Sequence, residues 1–566
     1  MTVPRRGAAP SIGLKLRLGV GALFALLAVY LLLVLPPLHL GAVRLGELSL
    51  AWWYGGVLAP LFAVILTIAC LGSNPMSGPP PLTGRIAIWI MPPLLFSLPI
   101  ELLVEGRDGL WIALLVVVAP LIALLLVAVP GGTMKPVTGM RTPVVVVVAL
   151  LLWAQLLLAG DLAASLGFPR LAGILTAACG ALLVTGLSPR GQRWRALLPI
   201  ALLALFVPLV VIIGVADRLP HEAWSAAASR LAFRFAPDSP WVVGGRPIQV
   251  EPGVETLLFE EEHRITVLTE GPLRLMINDR GKTQIYEWTL AAGQSINLRP
   301  GDRLFVEPGR RLLFEAGKRV PGAPVWGLRW ADTPFGPLGP GLLWLLGAGL
   351  TVVGGALAIL TYGRSVPTSR LTGALGGISV LLILLWAEGW AIYTVSEAPE
   401  IFLGGLSPSK LFELPVLILP GSRWGPALRG LTMFGGYLAL LANAVALREL
   451  LARRKGERVG GLWVAMLAAA TVGSMWVVDP WMVLLIALGL AASTLAPLAW
   501  AALPPGRAQA ATAGVGTGAA VFLGLTVLRQ LQPVPGPWAE PLLTYPALVA
   551  APVSAFILWV LRGPER

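Results

Sequence analysis

A carboxylate inside an apolar run is the feature of this chain most able to do chemistry, because burying one there costs about 2.5 kcal/mol or more even on lenient scales. Glu388, in LLWAEGWAIY, is the deepest of them. It lies about two helical turns from the end of its run, and could bind a proton or cation or pair with a buried donor. Glu101 and Asp161 stand nearer the ends of theirs, where water reaches them, and Gln155 places an uncharged amide within LLLWAQLLLAGD. These four residues are the candidate substrate or ion path. No basic residue faces them in mid-run, and no acidic pair recurs a turn apart. That pattern points away from a proton-driven pump of small polar solutes and toward a lipid-like cargo, or none.

Other chemistries find no residues. The three histidines, His39, His221 and His263, lack metal-ligand spacing. With so few bases no Ser/His/Asp or Cys/His set can be assembled. GVGTG at 514–518 and GALGG at 373–377 neither follow a strand nor carry the lysine of a phosphate loop; they read as small-residue faces for close helix packing. Cys70 and Cys179 fall in apolar runs and read as buried thiols. The expectation is no catalytic residue, no metal and no cofactor.

The elements that must position these residues are apolar runs recurring through most of the chain. With 56% hydrophobic and only 13% charged residues in 566, the composition is that of a membrane protein. A span needs roughly 20 apolar residues to cross about 30 Å of hydrocarbon. By that measure about seven spans fill 1–216 and about seven more fill 337–566. Basic residues mark alternate loops: Lys15 and Arg17, Arg85, Lys135 and Arg141, then Arg190, Arg193 and Arg195, and in the second half Arg364 and Arg370, Arg453 to Lys455, Arg507, and Arg562. The loops between carry Glu47, Glu105 with Asp108, Glu397 with Glu400, Asp479 and Glu540. The positive-inside rule therefore puts both termini in the cytoplasm and residues 217–337 outside. It also accounts for the net charge of +13 without a nucleic-acid partner. The 21 tryptophans, AWWYGG among them, read as an interfacial belt.

Between the helical halves lies a polar region. PHEAWSAAASRLAFRF sets Trp224, Ala228, Leu231 and Phe235 near one helical face, predicting a surface helix within a linker at 217–245. From 246 to 336 the pattern turns to period two, through ETLLF, RITVLTE, LRLMIN, TQIYEWTL, QSINL, DRLFVE, RRLLFE and VWGLRW, predicting an antiparallel β-sandwich-like domain. NDRGK is its best hairpin turn. At 396–425, Ser407 before Pro408 suggests a helix start, and LFELPVLIL is too short to span, predicting a re-entrant or interfacial segment.

PGDRLFVEPG, at Pro300 to Gly309, resembles the Gly-Asp turn, apolar strand and Pro-Gly turn of cupin jelly rolls, a likeness extending over about residues 248–330. The resemblance implies a jelly-roll fold. Metal-binding cupins place a histidine shortly after that second turn, where this chain has Arg310 and Arg311, and only His263 lies upstream. The metal site is missing. Arg299, Arg303, Arg310 and Arg311 then form a candidate surface for a membrane-protein or envelope-polymer partner.

The fold class expected is a polytopic α-helical membrane protein of about 14 spans, with one extracytoplasmic β domain between the halves, in a bacterial-type inner membrane. The function ranked first is a transporter or translocator of a hydrophobic or lipid-linked substrate. A non-catalytic scaffold of a cell-envelope complex follows. A membrane-embedded envelope-biosynthesis enzyme comes third, and would need outer carboxylates such as Glu47, Glu101 and Asp161 to converge.

Overall fold

The computed structural model describes residues 9–35, 40–71, 87–129, 141–186, 197–235, 242–243, 255–269, 271–279, 282–306, 312–324, 326–331, 338–362, 370–403, 408–419, 422–451, 459–476, 478–501, 508–531 and 536–562. Seven helices come first: α1 (Ala9–Val34), α2 (Leu50–Cys70), α3 (Pro92–Glu105), α4 (Arg107–Ala128), α5 (Arg141–Ser165), α6 (Arg170–Gly186) and α7 (Leu197–Ala216). A small hairpin, β1 (Arg44–Leu45) and β2 (Leu48–Ser49), precedes α2. A short α8 (Pro220–Ala228) enters the β domain and α9 (Gly327–Ala331) leaves it. The remainder is α10 (Leu338–Thr361), α11 (Arg370–Glu397), α12 (Pro408–Leu411), α13 (Leu414–Ile418), α14 (Trp424–Leu451), α15 (Gly460–Gly473), α16 (Pro480–Ala501), α17 (Ala508–Leu531), α18 (Ala539–Thr544) and α19 (Ala547–Arg562).

Among the described residues, ten helices are long and apolar enough to cross a membrane, and α6, α15 and α19 are shorter apolar ones. The chain is a polytopic helical membrane protein carrying small sheets. The two halves interleave: α4 packs on α10, α5 on α16, α7 on α14, and α11 on α2 and α3. α4 is the centre, with every side chain from Leu110 to Ala123 buried. An all-round apolar helix needs such an enclosed place, since no polar face exists to turn outward. Peripheral helices instead expose large apolar side chains, such as Leu18 and Phe24 on α1 and Leu203 and Val210 on α7. Cys70 is buried as expected, but Cys179 is exposed on α6, where an apolar thiol on an outward face has no packing role.

In the polar region the period-two pattern becomes strands β3 (Val242–Val243), β4 (Glu255–Leu258), β5 (His263–Val267), β6 (Gly271–Asp279), β7 (Lys282–Leu290), β8 (Ser295–Leu298), β9 (Arg303–Val306) and β10 (Leu312–Phe314). Alternation is direct: in β8, Ile296 and Leu298 are buried while Ser295 and Asn297 are exposed. The sheets run β3-β10-β5-β8 and β4-β9-β6-β7, all pairs antiparallel. Counting from β3, the orders are 1-8-3-6 and 2-7-4-5, the connectivity of a jelly roll. Asp279 pairs with Lys282, so the strands around NDRGK do form a hairpin.

Two local expectations change. VWGLRW is not a strand: Gly327–Ala331 is helical, because the adjacent Trp330 and Ala331 are both buried, and a strand would send neighbours to opposite faces. The helix begun at Pro220 stops at Ala228. Trp224 and Ala228 share its buried face, but Leu231 is 92% exposed and Phe235 joins the β-domain core. That face meets α9, α11 and Trp52 rather than a lipid surface. In 396–425, α12 and α13 are too short to span; they bury Leu411, Phe412 and Leu414 against α3, α5, α7 and α14. Ser407 lies outside the described residues.

Candidate functional site

α11 carries Glu388 into the bundle at only 8% exposure. Its Oε1 has no hydrogen-bond partner among the described residues. It faces a six-residue π-helical turn in α2, Trp53–Leu58, at Gly56, where a Cβ would lie 2.6 Å from Oε1. The sequence WYGGVL suits this packing: Gly55 admits the Tyr30 ring and Gly56 the carboxyl. The Tyr30 hydroxyl donates to the Arg107 carbonyl at 2.9 Å, and Arg107 Nε stands 3.9 Å from Asp108.

Gln155 is engaged elsewhere. Its Nε2 donates to Asn443 Oδ1 at 2.7 Å, and Asn443 Nδ2 donates to the carbonyls of Ile88, at 2.9 Å, and Ala87. Those carbonyls lie where the chain breaks: residues 87–89 are helical, Met91 is extended at φ −101° and ψ 140°, and α3 starts at Pro92. Irregular backbone at membrane depth survives only where protein satisfies its polar groups. Asn443 and Gln155 do that here, so the amide is part of a clamp and shares no partner with Glu388. Asn443 carries the same signal that singled out Gln155, a lone amide in an apolar run, ALLANAVAL, and belonged beside it.

Glu101 and Asp161 are brought together electrostatically, since Asp479, at the start of α16, acts on both. Asp161 also pairs with Arg170 Nε at 3.0 Å. Glu105 acts on Glu101, and Glu540 on Glu105. Carboxylates from α3, α5, α16 and α18 thus gather at one end of the bundle, while Glu47 stands exposed in the β1–β2 turn and is not among the groups acting on them. Among the described residues no group of three His, Cys, Asp or Glu could hold a metal. Nearby, buried Arg429 of α14 pairs with Glu413 at 3.2 Å and donates to the Ser165 carbonyl, joining α13, α14 and the end of α5. In the sequence Arg429 sits near a helix end, where a basic residue looks solvated and gives no sign of such burial.

In the β domain, Arg299 and Arg303 are exposed, and Arg310 and Arg311 lie outside the described residues. The PGD corner is locked by Asp302 Oδ2, which accepts the Arg299 amide at 2.8 Å, with Gly301 at φ +92°, a conformation glycine adopts without strain. His263 is 1% exposed, its ring edge-on to Phe259 at 5.1 Å, and its Nδ1 has no partner among the described residues. His221 is exposed and His39 lies outside the described residues. Burial holds the His263 imidazole below its ordinary value; Glu261 and Glu315 pull it up and Lys318 pushes it further down.

A base depressed in the folded state binds its proton more readily when unfolded, so stability is complete above the unfolded pKa, about 6.5, and falls as pH drops through it. Limited proteolysis of the β domain is expected to accelerate from about pH 7.5 to about pH 5.5. In His263→Leu that acceleration should shrink; an unchanged pH dependence in the variant would assign it to other groups.

An apolar recess lies between α7 and α11. A groove of about 520 Å³ is lined by Leu198, Leu202, Phe206, Leu375, Ile378 and Leu382. Ser379, also on its wall, spends its hydroxyl on the Leu375 carbonyl at 2.8 Å. The two helices close on each other further along, where Trp386 Nε1 donates to the Leu205 carbonyl at 3.0 Å. Just beyond the end of α7, Arg218 bridges Glu397, the last residue of α11, at 3.0 Å, beside the β domain. The groove lies toward the starts of α7 and α11, and its wall residues Leu203 and Ile378 are exposed on the outside of the helices. Comparison of the chain with protein-family models, with curated proteins and with solved structures returns no match.

Proposed function

We propose that the protein is a multi-pass inner-membrane protein that translocates or hands on a hydrophobic or lipid-linked substrate. The observation that carries this reading is the α7–α11 groove: an apolar recess of about 520 Å³, of a size to take a hydrocarbon chain, bounded where Trp386 meets the Leu205 carbonyl. In the topology inferred from the basic loops, with about 14 spans and cytoplasmic termini, the β domain is extracytoplasmic and the groove, near the starts of α7 and α11, lies at the level of the inner leaflet. The short helices α3, α6, α15 and α19 support that count, since each occupies an apolar run where a span is expected. A chain entering there exchanges lipid contacts for protein contacts at little cost, so selectivity rests on shape.

A photoreactive residue placed at Ile378 in native membranes is expected to capture a discrete lipid-linked species. Leu385 of the same helix, as exposed as Ile378 at 51% against 50% but outside the groove lining, should capture bulk lipid only. Filling the groove with Leu202→Trp should reduce capture at Ile378 about tenfold, the loss that about 1.4 kcal/mol of weakened binding produces. Equal products at Ile378 and Leu385 would sink the reading. The scaffold alternative would then lead, and it has its own support in the burial of Glu388 and Gln155 within packed helices. Its partner surface would be the arginine-bearing corner of the β domain.

A further inference from the structure

We infer that Glu388 is an exchangeable proton site, and that the π turn of α2 is the element its protonation state moves. This deepens the translocation reading by giving it a proton-linked step, and rests on that reading for its purpose alone. The carboxyl is more than nine-tenths buried and one oxygen lacks a donor among the described residues. Among the described residues no charged group acts on it. The elements around it present Tyr30 from α1, whose hydroxyl is spent on the Arg107 carbonyl, and Arg107 and Asp108 from α4, which face each other. Toward the end of α11 lie Arg218 and Glu397, a pair, and Glu222 of α8, which accepts the Leu219 amide.

An ionised carboxylate without a counter-charge is not tolerated in such surroundings. The group must hold a proton or a bound cation. A hard metal cation needs several oxygen ligands, whereas Oε1 is met by Gly56 and, among the described residues, Glu388 belongs to no group of three His, Cys, Asp or Glu. The proton is the ligand that fits.

The π turn is an independent observation. Across Trp53–Leu58 the backbone is wound one residue wider than an α-helix, with the Ala59 amide bonded to the Tyr54 carbonyl five residues back. Such turns are rare, appear mostly as single bulges inside α-helices, and recur at functional sites. Gly56 meets the carboxyl at the middle of this turn. Loss of the proton places a charge against this wide turn of α2, and reprotonation removes it.

The test is infrared difference spectroscopy on the full chain in lipid, wild type against Glu388→Gln, from about pH 5 to about pH 10. The expected result is a neutral-carboxyl C=O band in the wild type, lost in Glu388→Gln, that bleaches reversibly as pH rises. In Gly56→Ala, whose methyl would crowd Oε1, the midpoint of that bleaching should move. Absence of the band at every pH would overturn the proposal, and so would a band that persists unchanged across the range, since that marks a locked structural hydrogen. Glu388→Gln keeps the shape of the side chain, and its elution and melting report folding. Lipid capture at Ile378 on the same samples is a separate readout, so failure of the groove and failure of the proton site give different patterns.

Discussion

Asn443→Leu is expected to destabilise the protein by about 4 kcal/mol, because it orphans the buried carbonyls of Ala87 and Ile88 and the amide of Gln155 together, each worth about 1–3 kcal/mol. Interhelical hydrogen bonds in membranes often contribute less, about 0.6 kcal/mol on average, since an unfolded helix in lipid finds other partners. Here the larger figure wins. Asn443 is fully buried, and two of its partners belong to a break in the helix whose carbonyls lack the usual amide four residues on. Leucine is similar in volume, so the loss isolates the hydrogen bonds. Adding Gln155→Leu should recover about 1 kcal/mol, since it removes one of the orphaned groups. Chemical denaturation in mixed micelles measures both. A single variant within about 0.5 kcal/mol of wild type would show that the clamp does not hold the break.

Gly327→Ala should separate the β domain from the helices. A Cβ at Gly327 would stand 1.8 Å from the Ala227 carbonyl oxygen and within 3.0 Å of two further backbone atoms of α8, so no flexible side chain can yield. α9 has to move. It carries Trp330, whose Nε1 donates to the Leu102 carbonyl at 3.0 Å, and the Ala331 carbonyl, which accepts from Trp52 Nε1 at 2.9 Å. Trp52 in turn packs on Trp224 and Trp330 with ring centroids 6.0 and 5.5 Å apart. Displacing α9 by a carbon diameter unseats this cluster, at a cost of about 3 kcal/mol, the upper end for overpacking. The expected outcome is a lower melting temperature, altered tryptophan fluorescence and faster proteolytic release of the β domain. Wild-type behaviour in all three would mean that α8 and α9 are not in this close contact.

The four path residues illustrate where reading a sequence stops. That Glu388 is buried followed from its apolar flanks, as did the partial exposure of Glu101 and Asp161. What each carboxyl meets did not follow. Gln155 and its partner are 288 residues apart, and Asp479, which acts on both Glu101 and Asp161, belongs to the other helical half. No local pattern encodes such meetings. The strands of the β domain show the same division: alternation in β5 and β8 was legible residue by residue, yet VWGLRW, which alternates equally well, is helical because α9 must bury two adjacent residues.

By itself the sequence determined that the chain enters a membrane, where its apolar helices lie and which stretch forms strands. Those outcomes depend on the transfer free energy of short windows and on the backbone's need to satisfy its own polar groups. Only the tertiary structure decided that Glu388 faces a π turn, with no counter-charge among the described residues, that Gln155 serves a clamp, and that α7 and α11 part to leave a groove. Those depend on which surfaces meet across hundreds of residues, and packing at such separations is chosen by the whole molecule at once.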